Sequence, residues 1–237
     1  MVKKIYKFVL TGGPSCCGKT TLCNILKECF NTPEKTQIVV LSMDNYYKSL
    51  HDPTANYDDP NAIDFELLIQ HIKQLLSGSE INVPNYLFEF HCRDPVNTTL
   101  VKPAPVIILE GIFVQNDKRL VELADFTMMI KCEDWKLVDR RHVRDVKERG
   151  RTPESISKQL NETVMPGKHK FIDPFMHYAD VVLDNNEDQH FQNSETVIPY
   201  IQQLINDTSN NKISPEEYLK KANKEEIEKL KQLLQNY

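Results

Sequence analysis

A glycine-rich segment near the start of the sequence constrains the fold more than any other feature. Residues 13–20 read Gly-Pro-Ser-Cys-Cys-Gly-Lys-Thr and fit the pattern G-x-x-x-x-G-K-[S/T]. An apolar run at residues 5–10 precedes the segment, and a helical pattern at residues 21–30 follows it. This strand–loop–helix order is the context in which the pattern binds phosphate groups, and it disfavours a chance match in a glycine turn. The segment therefore predicts a phosphate-binding loop (P-loop).

The residue types of this P-loop indicate what it binds. Glycine lets the backbone curl so that successive N–H groups point at a polyphosphate, and the following helix adds the positive end of its dipole. Lys19 is expected to reach the β- and γ-phosphates, and the Thr20 hydroxyl to bind Mg²⁺. Cys16 and Cys17 are interpreted as small side chains among the phosphate-binding amides. The predicted nucleotide-binding residues are Gly13, Pro14, Ser15, Cys16, Cys17, Gly18, Lys19, Thr20 and Thr21.

The composition argues against several classes of partner. The chain has 237 residues, 40% hydrophobic and 27% charged, which suits one or two globular domains. Its formal net charge of −5 argues against nucleic acid or a membrane surface as the main partner. No apolar run approaches the roughly 20 residues of a membrane span, and no cleavage site follows the N-terminus, so a cytoplasmic location is expected. The six cysteines lack zinc-binding spacing and are expected to be free thiols.

Short apolar runs alternate with helical patterns along the chain. Because continuous apolar strands suit a parallel sheet covered on both faces, we predict a three-layer α/β fold of the P-loop NTPase type, a parallel sheet flanked by helices. A small β-hairpin insertion is expected at about 80–102 and a helical, arginine-rich lid at about 140–168, within a domain of residues 1–207. A C-terminal helical tail is expected at residues 208–237. Strands are predicted at residues 5–10, 37–41, 105–109, 126–130 and 180–183, and helices at 19–30, 61–76, 134–149, 153–164 and 197–205.

Two acidic residues follow predicted strands. Asp44 comes just after the second strand and Glu110 just after the third. Because ligands of open α/β sheets bind at the carboxyl ends of the strands, both carboxylates are expected near the P-loop. Asp44 is a candidate to take the proton of an attacking hydroxyl or to help hold Mg²⁺, with a helix N-cap as the alternative. Glu110 is a candidate Mg²⁺ ligand, direct or through water.

Arginines cluster within twelve residues of the helix predicted at 134–149 and of the segment that follows it. They are Arg140, Arg141, Arg144, Arg149 and Arg151. Such residues on a helix often form only a solvated surface. In an acidic chain with a P-loop, however, the cluster favours a lid that surrounds the γ-phosphate with positive charge.

An aromatic segment at residues 81–93 is strand-like, and residues 98–101 are a candidate hairpin partner. The segment also carries His91 and Arg93. From the pattern alone, the aromatic residues form either a wall that binds a nucleobase or the small core of the hairpin itself.

The chain resembles the uridine–cytidine kinase family from about residue 6 to residue 183. The P-loop is shared by many families, whereas the Asn-Tyr-Asp-x-Pro block at 56–60 and the Arg-Asp-x-x-Glu-Arg-Gly-Arg run at 144–151 are far more specific. Further segments match in the same order: Asp44-Asn45-Tyr46-Tyr47, Pro84-Asn85-Tyr86-Leu87-Phe88 with His91 and Arg93, Leu109-Glu110-Gly111-Ile112 and Tyr178-Ala179-Asp180.

The resemblance implies a role for each matching residue. Catalysis would rest on Asp44 as the base for the nucleoside 5′-hydroxyl, Lys19, and Arg144 and Arg149 as a clamp on the triphosphate. Thr20, Glu110 and Asp44 would serve Mg²⁺. The implied nucleoside-binding residues are Asp58 and Arg141 for the ribose, Tyr86, His91 and Arg151 for the pyrimidine, and Tyr47, Tyr57, Phe88 and Gln159 as further pocket lining.

The function implied by the resemblance is ATP-dependent phosphorylation of uridine and cytidine at the 5′-hydroxyl, giving UMP and CMP for pyrimidine salvage. One alternative is a related kinase for nicotinamide riboside, pantothenate or phosphoribulose. The other is a non-catalytic P-loop module that binds nucleotide as a switch. Because family members are commonly oligomeric, a homo-oligomer is also implied.

Overall fold

A computed structural model describes residues 6–187, 190–192 and 194–206 of the chain. Within these residues, a parallel five-stranded sheet carries a sixth, antiparallel strand at one edge. The order in space is β2-β5-β1-β6-β7-β8. The strands are β1 (Lys7–Gly12), β2 (Ile38–Ser42), β5 (Val106–Gly111), β6 (Phe126–Lys131), β7 (Val181–Glu187) and β8 (His190–Gln192).

The register of the central strands aligns their carboxyl ends. Thr11 of β1 pairs with Glu110 of β5, and Ser42 of β2 pairs with the same Glu110 from the other side. The P-loop leaves β1 at this edge. The 3₁₀ turn Met43–Tyr46, which contains Asp44, leaves β2 at the same edge. The sheet therefore brings the P-loop, Asp44 and Glu110 together.

Helices cover both faces of the sheet, which explains the continuous apolar strands. On one face, Leu10 and Leu109 pack with Leu68 and Ile72 of helix α2 (Phe65–Leu76). On the other, strand residues such as Ile108 pack with residues of helices α1 (Lys19–Phe30) and α7 (Ser194–Asn206). The three-layer α/β prediction is confirmed. The helices are α1 (Lys19–Phe30), α2 (Phe65–Leu76), α3 (Lys118–Leu123), α4 (Asp134–Arg149), α5 (Pro153–Gln159), α6 (Met165–Phe171) and α7 (Ser194–Asn206), with a π turn at Leu160–Val164.

The predicted hairpin insertion forms a separate two-stranded sheet of β3 (Ile81–Leu87) and β4 (Cys92–Val101). The strand assignment within it was partly wrong. The chain turns at residues 88–91, so Arg93 already lies on the return strand, where it pairs with Tyr86. The aromatic run conceals this turn because its residues suit a strand as well as a loop.

Several predicted boundaries were wrong. The helix predicted from residue 61 begins at Phe65, because Pro60–Ala62 forms its own 3₁₀ turn and the Asp64 side chain caps α2 by accepting from the Leu67 amide at 3.1 Å. The third central strand extends to residue 111, so Glu110 lies inside it. Helix α3 and strand β8 were not predicted, since neither is long enough to show a period.

The tail predicted at residues 208–237 lies outside the described residues. In the part of the chain that is described, no helix has the length and apolar character needed to cross a membrane.

Candidate active site

A cleft of about 1130 Å³ opens at the carboxyl edge of the sheet. Its walls come from the P-loop, the ends of β2 and β5, the hairpin and helices α4 and α5. Of the predicted site residues, all except Gly13, Pro14 and Cys17 line it. A cavity of this size exceeds what one nucleotide needs and is suited to two substrates side by side.

The P-loop wraps around the side chain of Lys19. The Lys19 ammonium donates to the carbonyl oxygens of Gly13 at 3.0 Å and Pro14 at 2.8 Å. Gly18 takes a φ of 103°, and a Cβ there would come within 2.4 Å of the Asn185 side-chain nitrogen, so only glycine fits. The loop backbone is therefore held tightly around the position where a phosphate chain would bind.

Thr20 and Glu110 meet at the first turn of α1. The Thr20 hydroxyl lies 2.9 Å and 3.0 Å from the two Glu110 carboxylate oxygens and donates to that carboxylate. Glu110 is only 6% exposed, and this burial raises its pKa, while Lys19 and the Thr20 hydroxyl oppose the rise. A further positive charge placed beside the buried carboxylate would therefore stabilise its ionised form.

The donors around Glu110 fit Mg²⁺. A hydroxyl and carboxylates are hard oxygen ligands, and Mg²⁺ in phosphoryl-transfer sites takes one or two such groups together with phosphate oxygens and water. Among the described residues, no group of three or more His, Cys, Asp or Glu side chains is arranged to hold a metal. Thr20, Glu110 and Asp44 are the residues that would hold Mg²⁺.

Asp44 faces the cleft from the turn after β2. It is half-buried, and the N-cap of that turn is Ser42, whose hydroxyl accepts from the Asp44 amide at 3.4 Å. The N-cap alternative for Asp44 was therefore wrong. The negative charge of Asp44 contributes to the raised pKa values of Glu110 and of Tyr47, after the larger effect of burial in each. Asp44 is thus electrostatically coupled to the metal-binding side and to the aromatic side of the cleft.

An aromatic wall forms the second half of the cleft. The Tyr57 ring stacks on His91 with 5.1 Å between ring centroids, and Tyr47 packs against both Tyr57 and Tyr86 at 5.8 and 5.5 Å. Phe88 meets the edge of Tyr86 at 5.2 Å. Burial, followed by the positive charge of Arg151, lowers the pKa of His91, so its imidazole is neutral at physiological pH. The aromatic residues thus line the cleft, and Tyr47 and Tyr86 are at the same time buried against the hydrophobic core.

Arg93 belongs to the matching segments but lies behind this wall. Its guanidinium donates to the backbone oxygens of Tyr46 and Tyr47, each at 3.0 Å, and pairs with Asp64 at 3.1 Å. Arg93 therefore braces the aromatic turn against the start of α2.

The lid arginines point into the cleft. Arg141 is only 5% exposed and donates to the Ser15 hydroxyl of the P-loop at 3.0 Å and to the Gln159 amide oxygen at 3.0 Å. Arg144 reaches the same Ser15 hydroxyl at 3.4 Å, and Arg151 bonds to Gln159. The alternative of a solvated arginine surface is wrong for these residues, because helix α4 turns them toward the P-loop.

Asp145 is the central residue of this arginine cluster, and the sequence analysis missed it. Its carboxylate is fully buried and takes two bonds from Arg144, at 2.7 and 2.8 Å. Arg141, Arg149 and Arg151 approach the same carboxylate at 3.4, 3.7 and 3.9 Å. Burial alone would raise the pKa of Asp145, but the surrounding guanidinium groups hold it below its ordinary value. The sequence does carry a signal for this cluster. Asp145 lies four residues from both Arg141 and Arg149, a spacing that places side chains on one face of a helix.

Asn185 of β7 was also missed. Its side-chain nitrogen donates to the Cys17 carbonyl of the P-loop at 2.8 Å, and the Arg140 guanidinium donates to its backbone oxygen at 3.1 Å. No signal in the sequence pointed to it, because the predicted strand ended at residue 183.

Comparison with known proteins extends these observations. The family model described as "Phosphoribulokinase / Uridine kinase family" matches residues 8–192. The chain is 41% identical over 172 residues to a uridine kinase of Halalkalibacterium halodurans, covering 70% of this chain and 80% of that one. It is 39% identical over 180 residues to uridine-cytidine kinase A of Dictyostelium discoideum, covering 74% of this chain but only 35% of that longer protein.

A solved structure supports the fold. A possible uridine kinase from Bacillus stearothermophilus superposes with a TM-score of 0.55 at 21% identity, covering 75% of this chain and 88% of that one. At this identity, the likeness bears on the fold alone. The family model and the sequence matches confirm the family resemblance expected from the motifs.

Proposed function

The chain belongs to the phosphoribulokinase/uridine kinase family of kinases, and we propose that it transfers the γ-phosphoryl group of ATP to the 5′-hydroxyl of uridine and cytidine. The products would be UMP and CMP, in cytoplasmic pyrimidine salvage. One observation carries the proposal above all. A P-loop, a half-buried aspartate and an aromatic wall share one cleft with a cluster of arginines.

The triphosphate would bind along the P-loop. Lys19, Thr20 and the loop amides form its phosphate-binding side, and Glu110 with Asp44 would hold Mg²⁺ there. Bound Mg²⁺ neutralises charge on the β- and γ-phosphate oxygens during transfer. Lys19 would exchange its bonds to the Gly13 and Pro14 carbonyls for phosphate oxygens, which are stronger acceptors because they are charged.

Asp44 is proposed as the general base. It lines the same cleft as Glu110 and the aromatic wall and is electrostatically coupled to Glu110 and Tyr47, which supports a position where an incoming 5′-hydroxyl would meet the γ-phosphate. A carboxylate held within hydrogen-bonding reach orients that hydroxyl and accepts its proton.

The nucleoside would bind against the aromatic wall. Tyr47, Tyr57 and Phe88 offer faces and edges for the pyrimidine ring, and neutral His91 with Arg151 offers hydrogen bonds to its polar edge. Asp58 and Arg141 would bind the ribose. Asp58 accepts a hydrogen bond from Thr163 of the lid, and Arg141 donates one to Gln159.

Arg144 and Arg149 would clamp the transferring phosphoryl group. Both are about three-quarters buried beside Asp145, with side chains 26% exposed, which holds them in place before a substrate arrives. Preorganised positive charge of this kind stabilises the negative charge that develops on the transferring group.

The aromatic wall also separates this proposal from the related kinases. A sugar phosphate or pantothenate carries no aromatic base, and would leave the stacked Tyr57 and His91 rings uncovered. Nicotinamide riboside does carry an aromatic ring, so it belongs in the same test.

The test is ADP release by the purified protein with ATP and Mg²⁺ over a panel of acceptors. Uridine and cytidine are expected to give turnover well above adenosine, nicotinamide riboside, pantothenate and ribulose 5-phosphate. A Lys19→Met variant should lose turnover with every acceptor, which controls for a contaminating kinase. No turnover of wild-type protein with either pyrimidine nucleoside would contradict the proposal.

A further inference from the structure

The helical segment after α5 touches the residues proposed to bind the nucleoside. We propose that Thr163 and Gly167 of this segment are positioning residues for Asp58, and that they set how strongly the enzyme requires the ribose hydroxyls. The inference rests on the proposed function, because it assigns a substrate preference to the nucleoside side of that cleft.

The Thr163 hydroxyl lies 2.7 Å from the Asp58 carboxylate oxygen Oδ2, a contact between residues 105 positions apart. The same hydroxyl is 3.2 Å from the Gln159 carbonyl, the partner that a threonine in a regular helix would choose. A threonine has one hydroxyl proton to donate. Because the shorter contact is to a charged oxygen, Asp58 is the stronger acceptor and receives it.

This contact has a direct consequence for the carboxylate. With Oδ2 held by Thr163, rotation of the Asp58 side chain is restricted, and Oδ1 is the oxygen left for a ribose hydroxyl in the cleft. A carboxylate fixed in this way discriminates against a sugar that lacks the hydroxyl, because its oxygen would then be left without a partner.

Gly167 leaves room for the backbone of Asp58 to pack closely against α6. It is buried in α6, and a Cβ at this position would come within 2.5 Å of the Asp58 carbonyl oxygen and 3.1 Å of the Asp58 Cβ. Neither atom is the end of a flexible side chain, so a larger residue would displace the loop. Glycine is unfavourable inside a helix, and this close approach explains its presence here.

A helical irregularity that contains Thr163 and ends before Gly167 supports a functional role for this segment. Residues Leu160–Val164 form a π turn, which shifts the helix after α5 relative to a regular continuation. Such turns are frequently found at functional sites. Gln159, at the start of the turn, accepts from both Arg141 and Arg151. One short segment therefore holds Asp58 on one side and two cleft arginines on the other.

The test compares Thr163→Val, which keeps the shape but removes the hydroxyl, with Thr163→Ser, which keeps the hydroxyl. Loss of a hydrogen bond to a charged group changes an equilibrium constant by about tenfold or more. Thr163→Val should therefore lower kcat/KM for uridine by about that factor, through a higher KM for the nucleoside. KM for ATP should stay unchanged. The preference for uridine over 2′-deoxyuridine or 3′-deoxyuridine should also fall. In Thr163→Ser, both kcat/KM for uridine and this preference should be close to wild type. Gly167→Ala should reproduce the effect of Thr163→Val.

Thr152→Val is the matched control. Thr152 lies in the same lid, and its hydroxyl only caps α5 by accepting from the Ser155 amide at 3.3 Å. This variant should leave the KM for uridine and the deoxynucleoside ratios as in wild type. If Thr163→Val does not fold, judged by thermal denaturation, Thr163→Ala is measured in the same way.

Two results would overturn the inference. One is a Thr163→Val enzyme with wild-type KM for uridine and wild-type deoxynucleoside ratios. The other is a uniform loss, in kcat and both KM values, that Thr163→Ser does not repair. Wild-type protein that fails to phosphorylate uridine contradicts the proposed function instead, so the two failures are distinguishable.

Discussion

At the scale of single residues, Cys16 and Cys17 are neighbours in the P-loop but have different surroundings. Cys17 is fully buried, and that burial raises the pKa of its thiol despite the nearby Lys19. Cys16 is half-buried at the wall of the cleft, in a left-handed backbone conformation with φ of 66°. Since a thiolate is the reactive form of cysteine, burial and the raised pKa both disfavour reaction at Cys17, whereas Cys16 is accessible from the cleft.

Alkylation of Cys16 is therefore expected to inactivate the enzyme, because an added group would occupy the space of the phosphate chain. Treatment with iodoacetamide should abolish turnover, and saturating ATP with Mg²⁺ should slow the loss. Mass spectrometry of digested protein should place the modification at Cys16.

A Cys16→Ser variant provides the control, because half-buried Cys29 and Cys92 remain in it. It should resist inactivation under the same treatment. Inactivation of wild type at the same rate with and without ATP would contradict the placement of Cys16 at the nucleotide.

At the scale of elements, the geometry of α4 explains the arginine cluster. Helical spacing places Arg141 and Arg149 four residues to either side of Asp145. Gly150 ends the helix in the left-handed conformation with φ of 61°, and the turn lets the Arg151 amide donate to the Asp145 carbonyl at 3.1 Å. The helix and its C-terminal turn thus bring all these guanidinium groups to one carboxylate.

Asp145→Asn is expected to lower both stability and activity. The change leaves several guanidinium groups without their shared buried counter-charge, which should reduce the free energy of unfolding by about 3 kcal/mol. This is at the low end for a broken buried ion pair, since Arg144, Arg149 and Arg151 are partly exposed to solvent. Because Arg144 and Arg149 lose their orientation, kcat should fall by about tenfold or more. Thermal denaturation and steady-state kinetics measure the two effects.

The pH dependence of this stability loss has a definite sign. The pKa of Asp145 is lower in the folded protein than in the unfolded chain, so its ionised form stabilises the fold above the unfolded value of about 3.9. The difference in Tm between wild type and Asp145→Asn should stay constant from neutral pH to about pH 5 and narrow below about pH 4. Asp139→Asn, at an exposed position of the same helix, should change neither Tm nor kcat. A difference that widens in acid would contradict the role of Asp145.

At the scale of the whole molecule, the order of the strands in the sheet determines which functional groups lie close together. Strand β5 lies between β1 and β2, so Glu110 reaches the edge beside the P-loop on one side and the Asp44 turn on the other. The sequence made this arrangement predictable, because the apolar strands and the P-loop motif specify a parallel sheet whose carboxyl ends share one edge. The arginine cluster near the P-loop was predicted from the residues themselves, whereas the nucleoside-binding role of the aromatic wall came from the family resemblance.

Other features had no local signal in the sequence. The six residues of α3 are too few to show a helical period, and Thr163 in the π turn contacts Asp58, which is 105 positions away in the chain. The burial of Asp145 follows from how α4 docks against the P-loop, through bonds from Arg141 and Arg144 to Ser15. These are tertiary effects, which override local propensity.

The most direct test of the central claim is the steady-state rate of ATP-dependent uridine phosphorylation by Asp44→Asn beside wild type, with ATP affinity measured on both proteins by calorimetry. Removing a general base costs about a hundredfold or more in rate. We predict that wild-type protein forms UMP, and that Asp44→Asn loses at least that factor in kcat while it still binds ATP. An Asp44→Asn enzyme that phosphorylates uridine at the wild-type rate would contradict the account.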